Sequence, residues 1–164
     1  VSAPYGHAGR VYLGFGRLAG PAVHQEGDYS FAIGEGEVLG DGTDLTIIAT
    51  GLLVWEAVLA AEQLAQQGVS ARVINMATIK PLDEELVIKA AKETGRILTA
   101  EEHNIIGGLG EAVAGAVTNH HPVPVLRVGV NDEFGHSGPA GELLKQFGLT
   151  ADNLVVKAKE LMER

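Results

Sequence analysis

Three adjacent side chains, Glu101, Glu102 and His103, stand just before the glycines Gly107, Gly108 and Gly110 in the stretch TAEEHNIIGGLG. Two carboxylates and an imidazole do general acid–base work when they converge on a cleft that shifts their protonation. Glycines that open a helix leave backbone amides free for an anion, so a phosphate is the second candidate. No lysine or arginine lies between Arg96 and Arg127 to assist it. The third reading is architectural: a carboxylate and an imidazole bond the amides exposed where a strand hands over to a helix, while the glycines allow close packing or left-handed turns. The residue chemistry favours this reading, although loops of this kind also carry function.

Other constellations are weaker. Gly14, Gly16 and Gly20 follow a short apolar run and are similar to a dinucleotide fingerprint, but Pro21 and the aperiodic GPAVHQEGDY remove the helix that such a motif must open. Gly40-Asp41-Gly42 is similar to the start of a thiamine diphosphate and magnesium motif, yet it reads better as a hairpin turn. His7, His24, His103, His120, His121 and His136 form no H-E-x-x-H pattern, and adjacent histidines on a helix point about 100° apart. Ser137 neighbours His136 without a G-x-S-x-G elbow, which gives no triad geometry.

The chain that must position these groups has 164 residues, 46% of them hydrophobic, enough for one compact unit. With 12 basic against 21 acidic side chains, a net charge of −9 and no basic stripe, nucleic acid is not an expected partner. There is no cysteine for a disulfide or thiolate site. No apolar run approaches the roughly 20 residues that span a bilayer, so no membrane partner is expected, and the simplest setting is the cytoplasm.

Strand-like runs alternate with segments of helical period. Val11–Leu13 is a short strand, and residues 20–30 form a linker. Strands around Val38 and over Leu45–Thr50 form an antiparallel pair through Asp41-Gly42. A helix of about four turns then runs to Gly68. Residues 71–76 are a buried strand, Asp83 caps a helix that ends at Gly95, and Ile97–Ala100 is a strand. A helix from Leu109 closes at His120 and His121, Pro124–Val130 is the last strand, and Thr150 caps the last helix, which ends near Met162. This alternation predicts an α/β fold, a three-layer α/β/α domain whose sheet of about five strands is mostly parallel with one antiparallel strand.

The segments DLTIIATG, ARVINMATIKPLDEELVIKAAKETGRILTAEEHNIIGGLGEAVAG and VGVNDEFGHSG closely resemble the C-terminal part of transketolase, particularly the C-terminal subunit of split, two-chain transketolases. The resemblance implies a remnant of the pyrimidine-binding domain in residues 1–19, a linker in 20–30 and the transketolase C-terminal domain in 31–164. It also implies a dimeric enzyme of the pentose phosphate pathway, which moves a two-carbon ketol unit between sugar phosphates with thiamine diphosphate and Mg. This chain alone would bind no cofactor and be inactive; its partners would be the N-terminal thiamine diphosphate-binding portion or subunit and a second copy. Arg17, in LGFGR, matches the arginine that such enzymes place on the substrate phosphate. Glu101, Glu102, His103 and Gly107, Gly108 and Gly110 then become junction or interface groups, or an anion site. The β subunits of 2-oxo acid dehydrogenases and the deoxyxylulose phosphate synthases share the glutamate pair and glycines, and a module for a phosphorylated regulator is the remaining alternative.

Overall fold

The computed structural model describes residues 6–16, 20–24 and 29–164. Among them, five strands form one sheet in the order β1-β3-β2-β4-β5. These are β1 (Glu37–Gly40), β2 (Leu45–Ala49), β3 (Ala71–Asn75), β4 (Ile97–Asn104) and β5 (Val125–Val130). All neighbours run parallel except β1, which is antiparallel to β3. Helices α1 (Leu53–Ala65), α2 (Glu84–Thr94) and α3 (Leu109–His120) connect the parallel strands, and α4 (Ala140–Gln146) and α5 (Ala151–Met162) follow β5.

Alternation along the central strand sorts the helices into two layers. Leu45, Ile47 and Ala49 of β2 face α1 and α5, where Leu53, Ala57, Leu64, Leu154, Ala158 and Leu161 close a core with Val73, Leu98 and Val128. Ile48 points the other way, to Ile74 and Ile97 of the sheet and to Val87, Ala91, Leu109, Val113 and Val117 of α2 and α3. The expected three-layer α/β/α architecture is present, with the sheet buried between helices as parallel strands require.

The helix boundaries follow local chemistry. Asp83 Oδ1 accepts the Leu86 amide at 3.0 Å to start α2, and Gly95, at φ 70°, ends it. Thr150 Oγ1 accepts the Asn153 amide to start α5, whose Ala151 amide also donates to Glu56 of α1 at 2.6 Å.

Three expected strand features differ. The segment before β2 does not pair with it through a turn at Asp41-Gly42, because β3 lies between them. Gly42 crosses the end of β3 so closely that a Cβ there would sit 2.3 Å from the Ala71 carbonyl carbon. The Thr43 and Asp44 amides both donate to the Ser70 carbonyl, and Arg72 binds the Asp41 carboxylate. These bonds carry the chain past β3 before it enters β2. Val11–Leu13 forms no strand, and its side chains are exposed. β4 runs on to Asn104, since Asn104 still pairs with Val130 and the Ile105 amide donates to the Val130 carbonyl at 2.9 Å.

Candidate functional site

The extension of β4 decides what the polar cluster does. Glu101 is fully buried, and its two oxygens accept the first amides of α3: Leu109 N–H to Oε2 at 2.7 Å and Gly110 N–H to Oε1 at 2.8 Å. A helix start carries unpaired amides and partial positive charge, which an ionised carboxylate neutralises. The usual donor of that oxygen is the side chain of the N-cap residue itself. Here the N-cap is Gly108, in extended conformation, and the carboxylate comes from the strand instead.

Gly108 is what makes room: a Cβ at that position would lie 2.0 Å from Glu101 Oε2. A Cβ on Gly110 would press on the Arg127 side chain at 2.8 Å and on Thr99 Oγ1 at 2.9 Å. Gly107 takes φ 77°, and its amide donates to Glu111 Oε2 at 2.9 Å. The Leu109 and Gly110 amides are therefore engaged by Glu101, and the Gly107 amide by Glu111.

The three adjacent polar residues do not converge. Glu102 and His103 are exposed while Glu101 is buried, and the His103 ring Nδ1 donates to the Asn104 carbonyl at 2.7 Å. The Asn104 side chain accepts the Ile106 amide and donates to Asp132 at 3.1 Å, tying the loop after β4 to the loop after β5. Arg127 Nη1 donates to the Ile105 carbonyl at 3.0 Å and stands 3.7 Å from Glu111. Sequence reasoning missed Arg127 and Gly129. At Gly129 a Cβ would meet the His103 carbonyl at 2.7 Å, and the available signal was an isolated glycine inside a strand pattern.

The remaining candidates are separate from this junction. Arg17 lies outside the described residues. Asp41 accepts the Gly42 amide and pairs with Arg72; first the amide and then the guanidinium hold its carboxyl below the ordinary carboxylate value. Arg72 also binds Glu93 of α2, so this loop fastens the sheet edge. His120 stands 3.7 Å from Glu84, and His121 forms the C-cap of α3. Among the described residues, no three His, Asp or Glu side chains are placed to hold a metal ion. With Asp41 paired to Arg72 and the Leu109 and Gly110 amides held by Glu101, these groups do not fit a diphosphate and its magnesium ion.

A shallow trough of about 390 Å³ crosses the carboxyl ends of β2 and β3, between Val23, His24 and Tyr29 on one side and Thr50, Val54, Asn75 and Ala77 on the other. Burial, and secondly the Glu37 carboxylate, push the Tyr29 phenol above its ordinary value.

Residues 34–154, from the approach to β1 into α5, match the protein family described as "Transketolase, C-terminal domain". The chain belongs to this family. The transketolase C-terminal domain seen here is 46% identical to the 6-deoxy-6-sulfo-D-fructose transketolase subunit SqwH of Clostridium sp., over 96% of this chain and 49% of that protein. It is 45% identical to a putative transketolase C-terminal section of Methanocaldococcus jannaschii, over 96% of this chain and 50% of the relative. A solved structure described as "Split gene transketolase, inactive beta4 tetramer" superposes with a TM-score of 0.86 at 44% identity, covering 90% of this chain and 48% of that one. The chain thus spans about half the length of the curated relatives it matches.

Proposed function

We propose that this chain is the structural, self-associating C-terminal part of a transketolase, inactive alone, completed by an N-terminal portion or subunit that binds thiamine diphosphate and Mg. In that enzyme a two-carbon ketol unit passes between sugar phosphates; the cofactor supplies the carbanion chemistry and this domain supplies fixed surfaces around it. Residues 1–19 are then the end of the pyrimidine-binding domain, 20–30 the linker and 31–164 the C-terminal domain, with Arg17 on the substrate phosphate.

One observation carries the proposal: the helix start that an α/β fold offers to an anion is filled by the chain's own Glu101. Glu102, His103 and the glycines Gly107, Gly108 and Gly110 are left as junction and interface groups. The exposed Tyr12 and Phe15, 95% and 74% accessible, support a partner surface just before the domain. No described helix is long and apolar enough to cross a membrane; the cytoplasm is the proposed setting. The sugar relative above keeps the choice of substrate open beyond the sugars of the pentose phosphate pathway.

The test is reconstitution. The chain is mixed with thiamine diphosphate, Mg, xylulose 5-phosphate and an aldose phosphate acceptor, with and without a polypeptide carrying the diphosphate-binding and pyrimidine-binding domains of a transketolase. Ketol transfer is expected only in the mixture. Turnover by the isolated chain would overturn the proposal.

A further inference from the structure

The chain reaches β1 along a path that is fastened at several points. Val23 packs against the core on the α1 and α5 side of the sheet. His24 Nε2 lies 3.2 Å from Glu37 Oε2, the first residue of β1, and neither atom has a hydrogen-bond partner among the described residues. The His24 ring stacks on Tyr29 with centroids 4.4 Å apart and planes at 23°, and Tyr29 in turn meets Phe31 at 6.3 Å. Gly20 approaches Leu52, at the start of α1, closely enough that a Cβ would be in ordinary contact at 3.5 Å.

Glu37 pairs with Asn75, the last residue of β3. The fastened segment therefore crosses the carboxyl end of the sheet, and it walls the trough whose other side is Thr50, Val54 and Asn75. A linker between domains with no specific contacts swivels, which leaves the relative placement of the domains undetermined. A stacked pair locked onto the edge strand removes that freedom. Stacked aromatic contacts contribute beyond the area they bury, and the half-buried approach of His24 to the Glu37 carboxylate adds a second point of attachment.

We infer that His24, Tyr29 and Glu37 form a latch that fixes the direction in which the chain enters the domain, so that whatever precedes residue 20 is held at a set orientation to the sheet. That the preceding portion is a catalytic one rests on the function proposed above; the latch itself does not. Its three residues are positioning residues.

The measurement is backbone 15N relaxation on the chain as it stands, compared for wild type, His24→Ala, Tyr29→Ala and Tyr29→Phe. In wild type, residues 20–24 and 29–31 should show order parameters near the value of about 0.85 typical of rigid backbone. His24→Ala and Tyr29→Ala should drop them below about 0.6, the flexible range, while the five strands keep their values. Tyr29→Phe retains the ring and should behave as wild type. If His24→Ala does not fold, Glu37→Gln, which keeps the size of the side chain and removes the charge, should loosen residues 20–24 selectively. Wild-type values already below 0.6, or no loss in the His24, Tyr29→Ala and Glu37 variants, would overturn the latch. Neither result depends on whether the assembled enzyme transfers a ketol unit.

Discussion

Replacing Glu101 with alanine should be among the most damaging single changes in this domain, although no substrate touches the residue. The side chain is fully buried and makes two charge-assisted bonds, at 2.7 and 2.8 Å, to the start of α3. Hydrogen bonds to a charged group contribute about 1.5–3 kcal/mol each, and an ordinary N-cap loss costs about 1 kcal/mol. Taking the lower figure for each of the two bonds gives a total of about 3 kcal/mol. For a chain of this size that lowers Tm by about 6–12 °C, measured by circular dichroism. Gly108→Ala should cost a similar amount, because its Cβ would drive into Glu101 Oε2. The double variant is the sharper test. Once the carboxylate is gone the clash is gone, so the two losses should fall short of additive by about 2 kcal/mol. A loss below 2 °C for Glu101→Ala, or full additivity, would refute the carboxylate as the lock between β4 and α3.

Two further outcomes test the sheet edge. Gly42→Ala should destabilise by about 3 kcal/mol in denaturant titration, the upper end for overpacking, because the added methyl meets the rigid backbone of β3. The Asp41 carboxyl is held below its ordinary value by the Gly42 amide and then by Arg72. Its contribution is therefore whole above the unfolded carboxylate pKa and is lost as pH falls through the lowered value. Asp41→Asn should flatten the acid limb of the Tm against pH curve below about pH 4 and leave the neutral region with no added slope.

Local chemistry was the legible part. Asp83, Gly95 and Thr150 mark helix ends through bonds made within a few residues, and the alternation of strand-like runs with segments of helical period predicted the α/β architecture. Pairing was not legible in the same way. Asp41-Gly42 has the composition of a hairpin turn, but composition does not reveal that β3 occupies the place beside β1; only the close pass of Gly42 over Ala71 settles it. In the polar cluster the favoured reading, a carboxylate bonding the amides where strand hands over to helix, left open which of the three residues would do so. Three ionisable residues in a row look like a site, yet on a strand neighbours turn to opposite faces. The register irregularity between Ala100 and Asn104 adds to this, and one carboxylate ends in the interior while Glu102 and His103 face solvent. Nothing in the stretch singles out Glu101, rather than Glu102, as the carboxylate that reaches Leu109 and Gly110.

The carboxylate ties at helix starts have a consequence for how the domain comes apart. Glu101 binds α3 to the strand before it, Glu56 binds α5 to α1 across one layer, and Asp83 Oδ2 takes the Gly36 amide and so joins the start of α2 to the approach to β1. No one of these helices can peel away without stripping a partner from a charged group in another element. Opening should accordingly occur in large cooperative units, and the slowest-exchanging amides of α2, α3 and α5 should share one opening free energy with the central strands.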